Sequence, residues 1–101
     1  MLKEFFLGFI KIHILYHASI GPVCGVEMME ELQRHGYHLS PGTLYPTMHR
    51  MERDGYLQSG SRVVSGKARR YYTITARGLE ALAEARRYIG ELVREVVEED
   101  I

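Results

Sequence analysis

The sequence predicts a mostly α-helical chain with one small β-hairpin. Apolar residues recur at helical spacing in three successive segments before residue 55. Between residues 56 and 74 the period changes to two, around a glycine-bearing turn, and a further helical stripe begins after residue 75. Three helices followed by a hairpin is the order of a winged helix-turn-helix. We expect residues 1–75 to form this winged-helix unit, which would bind DNA, and residues 76–101 to form a dimerisation helix.

Length and charge limit the classes of function. A chain of 101 residues fits one domain with a modest core, and its 13 basic and 13 acidic residues balance. The charges are unevenly distributed, because Arg34–Arg70 holds seven basic and two acidic residues, for a net charge of +5. Glu80–Asp100 holds three basic and seven acidic residues, for a net charge of −4. The middle of the chain is therefore predicted to face an anionic partner.

The first predicted helix, residues 2 to about 17, is apolar around much of its circumference. We expect it to be covered on two sides, by its own domain and by a second subunit. Charged residues interrupt it and no cleavage site follows, so neither a signal peptide nor a membrane span is predicted. Cys24 is the only cysteine, which excludes an intrachain disulfide and fits the reducing cytoplasm.

The second predicted helix runs from about Gly25 to Arg34, after a break at Gly21-Pro22. Its inward residues are expected to be Val26, Met29 and Leu32.

The third predicted helix begins after Ser40, whose hydroxyl is expected to accept a hydrogen bond from a free backbone N–H of the first turn. Pro41 suits the first helical position, and core residues are expected at Leu44, Met48 and Met51. Pro46 inside this helix would crowd the carbonyl of Gly42, and a glycine there predicts a matched pair in a bent first turn. Asp54-Gly55 ends the helix.

A two-stranded hairpin with a turn at Ser65–Ala68 is expected next. Thr75 then caps a last helix from Ala76 to about Glu98, whose apolar stripe has little left to pack against in so small a domain. We therefore expect this helix and the first one to form a homodimer interface, with the residues Phe5, Phe6, Phe9, Leu82, Ala85, Ile89, Leu92 and Val96.

Two motifs resemble the PadR family of bacterial and archaeal transcriptional regulators. They are Leu39–Pro46 with Met51–Leu57, and Arg70–Thr75 followed by Gly78 and Leu82. The single terminal helix is similar to the shorter subfamily, whose members dimerise through the first and last helices. The resemblance implies a homodimeric repressor that binds an inverted repeat in double-stranded DNA and is released by a small effector. The chain departs from the family at Cys24-Gly25-Val26, where relatives often have His-Gly-Tyr, and in having no tryptophan to stack aromatic drugs.

In a winged helix-turn-helix the third helix enters the major groove and the hairpin, or wing, lies over the backbone. Hydroxyls at the helix start would fix phosphates, threonine and arginine would read base edges, and wing cations would add salt-dependent affinity. The candidate DNA contacts are Ser40, Thr43, Tyr45, Thr47, Arg50, Lys67, Arg69 and Arg70.

Two alternatives remain open at the level of sequence. One is a winged-helix module that binds protein and not DNA. The other is a metal- or thiol-responsive sensor, since His13 and His17 are four residues apart on one helix and Cys24 follows. The prediction itself includes no metal and no cofactor. No nucleophile turn or phosphate-binding glycine loop is present, so no enzyme is predicted.

Overall fold

The computed structural model describes residues 1–98; residues 99–101, the end of the predicted last helix, lie outside the described part. The predicted fold class is confirmed, with three helices, a hairpin and a long fourth helix in the expected order. A five-residue π-helical turn at Arg94–Glu98 continues the fourth helix. The elements are α1 (Leu2–Ile20), β1 (Val23–Cys24), α2 (Gly25–Arg34), α3 (Pro41–Arg53), β2 (Leu57–Val64), β3 (Lys67–Ile74) and α4 (Ala76–Val93).

α1 supplies one side of the core and leaves its first turns at the surface. Ile10, Ile14 and Ala18, four residues apart, are buried, as is Leu15. The helix reaches Ile20, three residues past the predicted end, because only Gly21-Pro22 stops it. Across the described residues 1–98, no helix has the length and apolar character needed to cross a membrane.

α2 has the predicted bounds but presents a different face to the core. Met28 and Leu32 are buried, whereas Val26 is 44 % exposed. The prediction for Val26 is wrong, because Met28 and Leu32 are one turn apart and Val26 lies off that line. At the start of α2 the Glu27 carboxylate accepts a hydrogen bond from the backbone N–H of Cys24 at 3.0 Å, which satisfies a donor at the helix entry.

α3 buries Leu44, Met48 and Met51, as predicted, and Pro41 occupies its first turn. One detail of its start differs from prediction. Ser40 stands at the N-cap, but its hydroxyl makes no capping bond to the backbone and instead donates to Thr43 Oγ1 at 3.4 Å. A methyl group on Gly42 would lie 3.7 Å from Ser40 Oγ, an ordinary contact, so a crowded surrounding is not the reason for glycine at this position.

The sheet has three strands in the order β1-β3-β2, one more than predicted. β2 and β3 pair from Leu57↔Ile74 to Val64↔Lys67. Ser65 and Gly66 join them with φ of 53° and 78°, the left-handed conformation of a type I′ hairpin turn. β1 adds the pairs Val23↔Tyr72 and Cys24↔Tyr71. A strand of two residues is too short to show an alternating pattern in the sequence.

Thr75 connects the wing, α3 and α4. Its hydroxyl oxygen accepts from the backbone N–H of Gly78 at 3.1 Å, which confirms the predicted cap, and it donates to the carbonyl of Gly55 at 2.6 Å. α4 thus starts beside the end of α3. Leu82, one turn after Gly78, is 2 % exposed and belongs to the protomer's own core. The expectation that Leu82 lies in a dimer interface is therefore wrong.

Candidate nucleic-acid interface

The exposed side of α3 carries four of the five DNA contacts predicted on this helix. Ser40, Thr43 and Arg50 are exposed, and Tyr45 is 37 % exposed. Since Pro46 has no N–H, the Gly42 carbonyl lacks its usual helical donor, and the first turn presents both polar backbone and hydroxyl groups to solvent. This surface can donate to and accept from phosphates and base edges.

Thr47 does not belong to this surface. Its side chain is 1 % exposed, and its hydroxyl donates to the carbonyl of Thr43 at 2.8 Å. The hydroxyl oxygen also accepts from Arg50 Nη2 at 3.4 Å. The sequence could not show that Thr47 is buried. A threonine hydroxyl can be buried when it bonds a carbonyl of its own helix, and the residue type alone does not reveal this bond. Thr47 acts here on the position of Arg50.

The three predicted wing cations have different surroundings. Lys67 is exposed beside the turn and pairs across the hairpin with Val64. Arg69 is half-buried, with Nη1 4.0 Å from the sulfur of Cys24. Arg70 is exposed, and its Nη1 donates to the hydroxyl of Ser59 at 2.8 Å. Lys67 is therefore the least constrained of the three cations.

Arg70 also belongs to a chain of hydrogen bonds that joins the wing to α3. The hydroxyl of Ser59 accepts from Arg70 and donates to Glu52 Oε2 at 2.5 Å. Bonds between charged and polar groups such as these are stronger than those between neutral groups. They hold β2 and β3 at a fixed position relative to the last turn of α3.

A cleft of about 310 Å³ lies where α3 meets the wing. It joins the two predicted groups of DNA contacts, since Tyr45 lines it from α3 and Arg69 and Arg70 line it from β3. The remaining lining residues are Cys24, Gly25, Val26, His49 and Tyr72.

Two further exposed residues were not among the predicted contacts, His49 in the cleft and Arg62 elsewhere on the wing. His49 is exposed, and its Nδ1 lies 3.5 Å from the hydroxyl of Tyr72. Its signal in the sequence was its position one turn after Tyr45. Arg62 on β2 is exposed and lies over the ring of Tyr71, 4.8 Å from its centroid. In the sequence, Arg62 is one of the seven basic residues that give Arg34–Arg70 its positive net charge.

Tyr72 is a buried member of the cleft. Burial raises the pKa of its hydroxyl above the ordinary value, the negative charge of Glu52 raises it further, and the positive charge of Arg70 opposes the rise. The hydroxyl therefore stays protonated at neutral pH and can donate to His49.

The predicted dimer residues other than Leu82 form an apolar surface on α1 and α4. Phe5 and Phe6 are each 48 % exposed, and the rings of Phe5 and Phe9 meet edge to face with centroids 4.6 Å apart. On α4, Ala85 is half-buried. The exposed apolar residues of α4 and the following turn are Leu79, Tyr88, Ile89, Leu92, Val93, Val96 and Val97, of which Ile89, Leu92 and Val96 are predicted interface residues.

The residues of the sensor alternative are separated. Cys24 is buried in the sheet beside Arg69. His13 and His17 instead lie beside His35, the residue that follows α2.

Comparison with known proteins agrees with this geometry. The model of the "Transcriptional regulator PadR-like family" matches residues 14–84. "Transcriptional regulator Rv3488" of Mycobacterium tuberculosis is 52 % identical over 96 residues, which cover 95 % of this chain and 90 % of that protein. Among solved structures, a PadR family regulator from Eggerthella lenta has a TM-score of 0.82 at 31 % identity, with 97 % of this chain and 87 % of that chain covered.

A PadR-like regulator from Bacillus cereus has a TM-score of 0.79 at 35 % identity, with 95 % of this chain and 91 % of that chain covered. Both structures are therefore similar to this chain in sequence as well as in fold. The expectation of a DNA-binding regulator of transcription, and not an enzyme, is confirmed at the level of the family. The chain belongs to the PadR-like family of transcriptional regulators.

Proposed function

We propose that this protein is a homodimeric repressor that binds an inverted repeat in double-stranded DNA. Residues 1–75 would contact DNA and residues 76–101 would hold the two subunits together. As a regulator of chromosomal genes it would act in the cytoplasm. One observation carries the proposal: the exposed face of α3 and the cations of the wing meet at one cleft, lined by Tyr45, Arg69 and Arg70.

The proposed DNA contacts are Ser40, Thr43, Tyr45, Arg50, Lys67, Arg69 and Arg70, to which we add His49 and Arg62. Exposed side chains on α3 would enter the major groove, and the wing would lie along the backbone. Arg50 is the strongest candidate for reading a base, because a guanidinium can bond two acceptors of guanine at once. Thr47 is not included, because it is buried.

The test is DNA binding by the full chain to sequences selected from random duplexes, measured by fluorescence anisotropy. We expect enrichment of an inverted repeat, and Arg50→Ala should weaken its binding by about 1–3 kcal/mol and relax the preference at one position of each half-site. Lys11→Ala, which removes an exposed cation on α1, is the matched control and should bind as the wild type does. Protein that selects no DNA, yet captures a protein partner through the same face, would instead be the interaction module.

The dimer is supported by the apolar residues that α1 and α4 leave exposed. Phe5 and Phe6 on α1 and Leu92 and Val96 on α4 and its extension are each between 47 % and 65 % exposed. Apolar surface of this extent on helices of a small domain is typical of a subunit interface. Two subunits related by a two-fold axis would match an inverted repeat.

Release by a small effector is supported by a groove of about 490 Å³ between α1 and α4. Its apolar lining includes Phe9, Ile12 and Ile89, and it adjoins the proposed dimer surface. A ligand there would act on the packing of α4 and so on the spacing of the two α3 helices. Ile12→Trp, which narrows the groove at a half-buried residue outside the proposed dimer interface, should abolish the response of DNA binding to such a ligand while DNA binding itself persists.

A further inference from the structure

Three histidines from distant parts of the sequence lie together at one end of the groove between α1 and α4. His13 and His17 occupy successive turns of α1, and His35 follows the last residue of α2. One ring nitrogen of each lies within 4.8 Å of the others. The rings of His13 and His35 are stacked, with centroids 4.7 Å apart and planes inclined by 27°.

The surroundings of His13 favour its neutral form, which is the form of histidine that binds a metal ion. Burial lowers the pKa of His13, and the positive charges that His35 and His17 would carry when protonated lower it further. His13 is therefore neutral at pH 7, with a lone pair free on one ring nitrogen.

The distances are compatible with coordination after small side-chain movements. Zinc bonds imidazole nitrogen at about 2.0–2.1 Å in tetrahedral sites, so that ligand nitrogens lie about 3.3 Å apart. The three nitrogens would have to approach by no more than about 1.5 Å, within the reach of χ-angle changes. His35 is exposed and leaves the helix at this point, so its ring can turn out of the stack without disturbing the core.

The surroundings supply a carboxylate and an open side. Glu31 Oε2 lies 3.8 Å from His17 Nε2, and its other oxygen is held by Arg34 Nη1 at 2.5 Å. Histidines that bind metals commonly donate their second nitrogen to a carboxylate placed in this way. The groove leaves room for water or a small anion as a fourth ligand, and Arg86 of α4 lines the same groove.

We propose that His13, His17 and His35 form a binding site for one divalent transition-metal ion that prefers imidazole ligands, with Zn²⁺ as the representative ion. Glu31 is a positioning residue for His17. Cys24 takes no part, since it is buried in the sheet beside Arg69. The site requires neither DNA nor a second subunit, so its test is independent of the proposed repressor function.

The experiment is titration of the untagged, chelator-treated full chain with Zn²⁺ by calorimetry and with Co²⁺ by visible absorption. We expect one ion per chain and a Co²⁺ spectrum of nitrogen and oxygen ligands. His35→Ala should weaken binding by about 100-fold or more, and Glu31→Gln by about 10-fold. His35 is exposed, so this variant keeps its fold, which circular dichroism would verify.

His38→Ala is the matched control, because His38 is a histidine three residues further along the same loop and outside the cluster. It should bind the ion as the wild type does. Binding should also fall as the pH is lowered from 7 to 5, because protons compete with the metal ion for imidazole nitrogen. Absence of binding at micromolar Zn²⁺, or equal loss in His38→Ala and His35→Ala, would overturn the proposal.

Discussion

The absence of a side chain at Gly78 lets α4 pack closely on the rest of the domain. Gly78 is buried in the first turn of α4, and a methyl group placed on it would overlap the carbonyl oxygen of Tyr56 and approach Ile74 Cγ1. Backbone and a β-branched side chain cannot give way as a long flexible side chain can. Glycine at position 78 therefore allows α4 to approach the strand that precedes it.

The substitution Gly78→Ala tests this contact. We expect a loss of about 1–3 kcal/mol in the free energy of unfolding, since the added methyl overpacks a fixed backbone position. Chemical denaturation at constant protein concentration would measure it. Gly90→Ala is the control on the same helix, because no atom lies within 4 Å of its added methyl. It should gain up to about 1 kcal/mol from helix propensity, and a similar loss in both variants would contradict the role of Gly78 in packing.

His13 gives a second prediction at this scale. Its pKa is lowered in the folded state, so the unfolded chain binds the proton more readily. Its contribution to stability is present above the ordinary histidine pKa of about 6.5 and is lost as the pH falls below it. His13→Phe should therefore flatten the decline of the melting temperature between pH 7 and pH 5, in metal-free buffer. His38→Ala should leave that decline unchanged, and no difference between His13→Phe and wild type would contradict the prediction.

At the scale of elements, the helices and hairpin could be predicted from the sequence because each carries its own pattern. Pro41, Thr75 and the Ser65-Gly66 turn mark boundaries that are set locally. β1 could not be predicted, because two residues become a strand only where β3 offers free backbone groups. The inward prediction for Val26 failed because the rotation of a ten-residue helix about its own axis is set by the elements it packs against, and the sequence does not show these.

For the candidate site, too, locally determined features could be predicted from the sequence and features set by packing could not. Ser40, Thr43 and Arg50 were predictable as exposed, since they lie opposite the apolar stripe of α3. The burial of Thr47 was not predictable, because the residue type does not show that its hydroxyl bonds a carbonyl of its own helix. Leu82 continues the apolar stripe of α4, and a stripe does not tell which members face the protomer's own core. His35 is 18 residues from His17, so only the fold brings them together.

The apolar stripe of α4 gives a prediction about assembly. The double variant Leu92→Glu, Val96→Glu should convert the proposed dimer to a monomer, because two charges per subunit would be buried without partners. Sedimentation velocity or light scattering would measure it. Val63→Glu, at an exposed apolar position on the wing, is the control and should leave the mass unchanged. A double variant that remains dimeric would move the interface to another surface.

At the scale of the whole molecule, the region proposed to bind DNA and the region proposed to form the dimer carry opposite net charges. The residues from Arg34 to Arg70 carry a net charge of +5, whereas Glu80–Asp100 carry −4. A phosphate backbone would attract the wing and repel the C-terminal helix. The charge distribution thus favours one orientation of the protein on DNA, with α4 pointing away.

The wing variant Lys67→Ala, Arg70→Ala tests this orientation. We expect it to weaken binding to every sequence and to lower the slope of log affinity against log salt by about 2, roughly 0.9 for each phosphate that the variant no longer neutralises. Anisotropy titrations at several salt concentrations would measure the slope for specific and random duplexes. Lys11→Ala again serves as the control, and a double variant with the wild-type slope would exclude the wing from phosphate binding.

The hydroxyl of Thr75 has a mechanical consequence for the proposed dimer. It bonds both the first turn of α4 and the residue that follows the α3 C-cap, so in the proposed dimer a tilt of α4 would turn about a point beside α3. Its 18 residues span about 27 Å, and a tilt of about 5° displaces the far end by roughly 2 Å. Small changes in the crossing of the two α4 helices would therefore alter the distance between the two α3 helices, which on an inverted repeat would have to match one turn of DNA, about 34 Å.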